Sequence, residues 1–324
     1  MTLPRRTFLH LAAGAAALPA VSPFAWARSY PSRPVRIVVG LAPGSSPDIL
    51  SHLVGRSLSE RLGQQFTVDN LTGIGANLAA EAVVKAVPDG HTLLMAGPSS
   101  AISATLYQKL GFNFLRDIAP VAAVAHSPNV MLVGPSVSAR TVPELIALAR
   151  TNPGRLKLAS AGVGTASHLC GELLELMTGI NLVHVPYSGG AGAYADLLSG
   201  KADVYFPPLA SSIEYIKTGQ LRAVAVTTAS RHEGMNVPTV GEFVPGYEAS
   251  TWFGIGAPRN TPAELVSWLN QEINASLADA KVKARIADLG ATVIAGSPAN
   301  FGKLIAEETE KWAKVIKFAG IKAD

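Results

Sequence analysis

Six turns in this sequence are built from residue types that can hold an anion without a cationic side chain. They read LAPGSSP at 41–47, TGIGAN at 72–77, GPSSA at 97–101, GVGTAS at 162–167, SGGAGA at 188–193 and PPLASS at 207–212, and none contains Lys, Arg, Asp or Glu. Glycine lets backbone N–H groups approach a ligand, Ser and Thr add hydroxyl donors, and a helix that starts at such a turn presents unpaired N–H groups and about half a positive charge. The chemistry on offer is capture of a carboxylate. Tight turning alone explains any one of these segments; six uncharged segments of one kind point to a lining. Asp48 could reach the same place, although an acid in a first helical turn is also expected for dipole reasons.

Covalent chemistry finds no such support. The pattern G-x-S-x-G is absent, and His168 and Cys170 are two apart on an expected helix, so they would not face each other. Cys170 is expected to be a buried small hydrophobe. The seven histidines show no metal-ligand spacing, and GVGTAS supplies only two glycines of a dinucleotide fingerprint. The strand after it ends in His184-Val185-Pro186, with no acid for a ribose hydroxyl. We therefore expect no cofactor, no metal and no enzyme.

The elements that must position these turns alternate between strand and helix. Strands fit Val35 to Val39, Phe66 to Asp69 and Thr92 to Met95, with helices at Asp48 to Leu62 and Ala76 to Ala86. A second series starts near Arg140, where Thr141 with Glu144 forms a capping box and Asn152-Pro153-Gly154 stops the helix. Its strands fit Lys157 to Ser160, Leu182 to Val185, Asp203 to Phe206 and Arg222 to Val226. The order predicts an α/β protein of two lobes, each a doubly wound, mainly parallel sheet, whose turns sit at the carboxyl ends of the strands, where ligands bind. Two further apolar strands, Val130 to Gly134 and Trp252 to Ala257, are expected to cross between the lobes as a two-strand hinge. The tail is expected to be helical, with starts at Thr261-Pro262 and Ser297-Pro298, and to return to the first lobe. No internal repeat is apparent.

The chain begins as an export signal: Arg5 and Arg6, an apolar run from Thr7 to Leu18, and Ala25-Trp26-Ala27 as a cleavage site. The text PRRTFLH resembles a twin-arginine signal, with a general secretory signal as the alternative. Either one makes residues 1–27 a removed signal and the product periplasmic. Of 27 Lys and Arg against 23 Asp and Glu, two arginines leave with the signal, which brings the net charge to about +2 and excludes a nucleic-acid surface. The remaining length exceeds a single core, hence two domains: 28–128 with 252–324, and 129–251.

The segments YPSRPVRIVV, APGSSPD, KAVPDGHTLLMAG, SPNVMLV, ASAGVGTASHLCGELL, HVPYSGG, DLLSGKADV, GQLRAVAVT, VPTVGEFVPGYEASTWFG and EKWAKVIKFAG, in that order, resemble the periplasmic solute-binding components of tripartite tricarboxylate transporters, the Bug proteins. The resemblance implies a Venus-flytrap fold, a small organic acid as ligand, and membrane transporter subunits as partners. It also implies that the turn of Ala42, Ser45, Ser46, Pro47 and Asp48 and the turn of Gly164, Thr165, Ala166, Ser167 and His168 hold a carboxylate through backbone donors, with Thr165 as hydroxyl donor. Tyr187, Gly192 and Pro207 line the far side by the same analogy, and Ser99 and Ser100 belong to the third uncharged turn. Two departures from the family pattern matter. Ser45, Ser46 and Pro47 replace a Gly-x-Thr text, and Pro207-Pro208 makes one wall more apolar, as an aromatic or longer-chain acid would require. The expected protein is a monomer that captures its ligand and hands it to a transporter; a sensor presenting its closed form to a receptor, or an exported hydrolase built on Ser45 or Ser167, are the alternatives.

Overall fold

The computed structural model describes residues 30–322 except Gln108, with the backbone alone at Ile74. The export segment 1–27 lies outside the described residues. Among them no helix is long and apolar enough to cross a membrane.

Two sheets organise the chain. The first contains β1 (Val35–Val39), β2 (Phe66–Asn70), β3 (Thr92–Ala96), β4 (Ile118–Ser127), β10 (Thr251–Pro258) and β11 (Thr292–Val293), in the order β11-β4-β10-β3-β1-β2. The second contains β5 (Val130–Val133), β6 (Lys157–Ser160), β7 (Val183–Pro186), β8 (Val204–Tyr205) and β9 (Arg222–Val226), in the order β7-β6-β8-β5-β9. Each sheet repeats one plan. Its own strands lie second, first, third and fourth, and a strand that has just arrived from the other sheet is inserted between third and fourth. The inserted strands, β10 and β5, run antiparallel to both neighbours. The remaining strands of the two series, β1 to β4 and β6 to β9, share one direction within each sheet, as the βαβ order predicts.

Local chemistry explains most boundaries. Four of the five residues of β1 are fully buried, and α1 (Ser46–Leu62) covers the face of Val35, Ile37 and Val39 through Leu50, Val54 and Leu58. That helix starts two residues before the expected Asp48, since Pro47 in the first turn lacks an N–H that would be unpaired there anyway. The helix expected over Ala76 to Ala86 is shorter, α2 (Asn77–Val84), because Ala76 is held at φ 61°, outside helical space. The next helix, α3 (Pro98–Leu106), follows β3, and α4 (Phe114–Asp117) precedes β4. Thr141 caps α5 (Val142–Thr151) by accepting from Glu144 N–H, while the Glu144 carboxylate reaches Arg140 N–H rather than that of Thr141. Then come α6 (Ala166–Thr178), α7 (Gly190–Leu198), α8 (Ile213–Lys217), α9 (Ala263–Ala278), α10 (Ala280–Asp288) and α11 (Pro298–Ala319). Ser297 caps α11 as expected, but the Thr261 hydroxyl caps nothing and stays unpartnered ahead of α9.

The crossings differ from expectation. Val130–Val133 pairs wholly within the second sheet and Thr251–Pro258 wholly within the first, so neither strand spans the gap. The chain crosses at Pro128-Asn129; residues 240–249 still pack with the second sheet, and the return comes at Ser250, just before β10. The tail differs as well: Phe301 and Ile305 of α11 pack with Trp252 on the first sheet, whereas Trp312, Val315 and Ile316 pack with Leu169 and Leu173 of α6 on the second. Ile102 and Leu106 of α3 join that second cluster. One long helix therefore braces both sheets, because its apolar stripe continues for more than four turns.

Candidate functional site

The turn after β1 and the turn after β6 have the same geometry. Ser45 and Thr165 are the N-caps of α1 and α6, at φ −73°, ψ 159° and φ −76°, ψ 159°, and neither hydroxyl caps its helix. Each cap follows a left-handed glycine, Gly44 at φ 80° and Gly164 at φ 74°. In each, the side chain three residues past the cap reaches back to that glycine. Gly44 N–H donates to Asp48 Oδ2 at 2.8 Å, and Gly164 N–H donates to His168 Nδ1 at 3.2 Å. Asp48 and His168 are buried, and each is held by the strand beside its own: Asn70 Nδ2 donates to Asp48 Oδ1 at 2.9 Å, and His184 stacks on His168 at 3.6 Å between ring centroids. Asp48 thus shapes its turn, with both oxygens engaged. Ser46 and Pro47, like Ala166 and Ser167, occupy the first helical turn, where N–H groups have no intrahelical partner.

The hydroxyls differ between the turns. Thr165 Oγ1 donates to Gly162 O at 2.7 Å and lies 3.0 Å from Ser167 Oγ, which accepts from Ala161 N–H. Ser45 Oγ is shielded from solvent and has no hydrogen-bond partner. Ala42 is exposed at the lip of its turn. No hydrogen bond among the described residues joins 41–48 to 162–168, so each turn is self-contained. At the second turn the first lobe makes its contact through α3, since Leu106 and Ile102 lie against Gly164.

The remaining residues fall at the same strand ends. Ser99 and Ser100 occupy the first turn of α3. Tyr187 follows β7, donates its hydroxyl to Asp196 Oδ2 at 2.8 Å and packs its ring over Gly192. Burial, and then Asp196, push the Tyr187 hydroxyl up to about 12. Pro207 is buried after β8, and its carbonyl accepts from Val130 N–H at 2.9 Å. Tyr205 was not singled out by sequence; its buried hydroxyl lies under Gly190, and burial raises its pKa.

A serine–histidine contact does exist, at Ser160 and His184 rather than at Ser45 or Ser167. Ser160 Oγ lies 2.7 Å from His184 Nε2, while His168 Nε2 lies 3.0 Å from Glu172 Oε1. The carboxylate and the serine therefore belong to different imidazoles, whereas a catalytic triad needs them on one. Ser160 is fully buried and its oxygen also meets Gly162 N–H and C=O. Burial, then His168, hold His184 near a pKa of about 3, too low for a general base at neutral pH. Cys170 is also fully buried, and burial pushes its thiol up to about 12. No group of three metal-ligating side chains occurs among the described residues. A groove of about 580 Å³ lined by Ile146, Arg150, Met177 and Phe243 lies at the far end of α6, about 18 Å of helix from its first turn, and is not part of this site.

The family model described as the tripartite tricarboxylate transporter family receptor, TctC, matches residues 51–321. The UPF0065 protein of the tcbD–tcbE intergenic region of Pseudomonas sp. strain P51 is 37% identical over 89% of this chain and 87% of its own length. Protein BugT of Bordetella pertussis is 33% identical over 91% of this chain and 92% of its own. Among solved structures, an R. palustris protein with adipate aligns at a TM-score of 0.85 and 35% identity, covering 90% of this chain and 99% of that one. MatC from Rhodopseudomonas palustris with bound malate aligns at 0.81 and 29% identity, covering 89% and 100%. The periplasmic binding protein BugD aligns at 0.82 and 31% identity, covering 91% and 100%. The two-sheet architecture is thus the two-lobed fold of these solute-binding proteins, and the chain belongs to the tripartite tricarboxylate transporter receptor family.

Proposed function

We propose that this protein captures a small organic carboxylate between its lobes, 28–128 with 252–324 and 129–251, and delivers it unchanged to the membrane subunits of a tripartite transporter. The observation that carries this reading is the pair of matched turns. Two helices of 17 and 13 residues begin at Ser45 and Thr165 with first-turn N–H groups and hydroxyls uncommitted to capping. Their partial positive charges suit a carboxylate, and the turns add no cation that would demand a phosphate. The relatives solved with adipate and with malate support the ligand class.

In this reading Ala42, Ser45, Ser46 and Pro47 form one wall, with Asp48 holding its shape; Gly164 to His168 form the other. Ser99, Ser100, Tyr187, Gly192 and Pro207 complete the lining, with Pro207 against the less polar part of the ligand. The protein acts as a periplasmic monomer after cleavage near Ala27. Thermal denaturation of ligand-stripped protein with adipate, malate and benzoate tests it, because a ligand bound only by the native state raises the melting temperature. A rise with at least one acid is expected, larger for adipate or benzoate than for malate. An unchanged melting temperature with every carboxylate would remove the function; a rise with malate alone would remove the apolar wall.

A further inference from the structure

Asn129 is fully buried in the two-residue link where the chain leaves the first sheet for the second, between Ser127, the last residue of β4, and Val130, the first of β5. Its side-chain amide is used at both ends. Nδ2 donates to Phe206 O at 3.0 Å and contacts Cys170 Sγ at 3.4 Å, both on the second lobe; Oδ1 accepts from Thr251 Oγ1 at 2.6 Å, the first residue of β10, at the return crossing and paired with Ser127 in the first sheet. An amide has two N–H donors and a carbonyl acceptor in one plane, and this pattern employs both N–H groups and the oxygen. Reversing the amide would set its oxygen against the Phe206 carbonyl. Aspartate would lose both donors.

The backbone of the same residue is tied to Thr227, which follows β9 and bonds the segment just before the return crossing. Asn129 N–H donates to Thr227 Oγ1 at 3.1 Å, and Asn129 O accepts from both Thr227 N–H at 2.9 Å and Thr227 Oγ1 at 3.0 Å. Thr227 O in turn accepts from Ala249 N–H at 2.9 Å. Beside it, the segment that follows Phe206 is stitched to the outward crossing, with Val130 N–H donating to Pro207 O at 2.9 Å and Leu209 N–H to Pro128 O at 2.8 Å. One residue of the outward crossing therefore meets Thr251 at the return crossing and the stretch 206–209, which holds Pro207 of the lining proposed above, and the inference rests on that proposal.

We propose that Asn129 is a positioning residue for capture: its amide couples the angle between the lobes to the place of the wall at 206–209. Opening the lobes moves Thr251 and Phe206 relative to each other, and one rigid plane between them transmits that movement. The wall is then offered to a ligand in one place only when the hinge is in one state. Buried groups that lose such partners have no water to replace them, so the link is all-or-none rather than graded.

The test uses the ligand-free protein, so its failure leaves the carboxylate reading untouched. Thr251→Val removes only the hydroxyl that Asn129 Oδ1 accepts from, and Thr251→Ser keeps it. Spin labels on Arg56→Cys and Lys217→Cys, exposed on the two lobes, report the interlobe distance by pulsed electron resonance, and hydrogen exchange reports the Val130 and Leu209 amides. Thr251→Val should shift and broaden the distance distribution and speed exchange at Leu209, whose amide bonds Pro128 O rather than Thr251; Thr251→Ser should match the parent. Val54→Ala, which loosens the first-lobe core, should change neither readout. Either readout coinciding with the parent in Thr251→Val, or Val54→Ala moving both as far, overturns the proposal. Exchange in the unsubstituted protein tests it even if Thr251→Val does not fold: Val130, Thr227 and Leu209 amides that exchange as fast as exposed loop amides would also overturn it.

Discussion

The turn after β1 and the turn after β6 share one backbone geometry, yet they secure it with opposite chemistry. The first ties its left-handed glycine to a carboxylate, Asp48, and backs that carboxylate with a neutral amide, Asn70. The second ties its glycine to an imidazole, His168, and backs it with a second imidazole and with Glu172. The first stands free at its lip, with Gly44 exposed and nothing near the place a Cβ would take. Gly164 of the second is buried under Leu106 of the other lobe. In the proposed function, the common geometry offers a carboxylate two helix N-termini. The different fastenings show that only the second turn is also part of the contact between lobes.

Alanine at the two glycines should separate these roles most clearly. Gly44→Ala meets only the cost of a left-handed alanine, about 1–2 kcal/mol. Gly164→Ala adds to this a collision with Leu106, which must rotate inside a packed cluster, for about 1–3 kcal/mol more. Urea denaturation should therefore rank Gly164→Ala well below Gly44→Ala. Equal losses would mean that the α3 contact contributes nothing to the second turn.

The fastenings come next. His168→Ala leaves the buried Gly164 N–H without a partner, a loss of about 1–3 kcal/mol. Asp48→Asn keeps an oxygen for the exposed Gly44 N–H but turns an NH2 on Asn70 Nδ2 where the second acceptor was, which should also cost about 1–3 kcal/mol. The same urea series measures both, and no loss for Asp48→Asn would show that the acceptor facing Asn70 contributes nothing to the first turn.

This comparison was only half visible in the amino-acid sequence. Strands such as Val35–Val39, Lys157–Ser160 and Arg222–Val226 were read to the residue, because β-branched or apolar runs there end at glycine- or threonine-containing turns. The longest strand, Ile118–Ser127, was not read at all. It carries four alanines and Pro120, so its pairing with β10 on one side and β11 on the other, not its propensity, makes it a strand. Asp279, which accepts from Lys281 and Val282 N–H, opens α10, a start that was also missed. Both turns fit G-[ST]-x-x-[DH], at 44–48 and 164–168, a repeat too short to register beside unlike flanks. Asn70, His184 and Asn129 had no local signal, since their roles come from neighbouring strands and crossings far away in sequence.

The imidazole fastening should also make the second turn acid-sensitive. Burial and His168 hold His184 at a pKa of about 3, against 6.5 for an unperturbed histidine. Between those values the unfolded chain binds the extra proton, so stability is complete above pH 6.5 and is lost as pH falls toward 3. Glu175, raised to about 7 by burial, works in the other direction: its contribution is present below 4.5 and lost as pH rises through 7. The difference between parent and His184→Gln removes that opposing slope, because both proteins contain Glu175. Urea midpoints from pH 7 to pH 4 should fall more steeply for the parent, and parallel curves would sink the assignment. His184 is partly exposed, which places this effect below the substitutions above.

The smallest change in stability is expected at Ser45, and there it carries the most meaning. Thr165→Val removes a hydroxyl that donates to Gly162 O, for about 0.5–1.5 kcal/mol. Ser45 Oγ has no partner to lose, so Ser45→Ala should not lower the urea midpoint of ligand-free protein and should raise it slightly if anything changes. A hydroxyl kept shielded and unpaired carries a desolvation cost that a bound carboxylate would offset, and hydrogen bonds to charged groups contribute about 1.5–3 kcal/mol. Ser45→Ala should accordingly weaken the best-bound acid by about tenfold or more, each tenfold being about 1.4 kcal/mol. Calorimetric titration beside urea denaturation separates the two effects. A lower midpoint with unchanged affinity would make Ser45 a support of α1, and the symmetry between the turns would then be structural rather than functional.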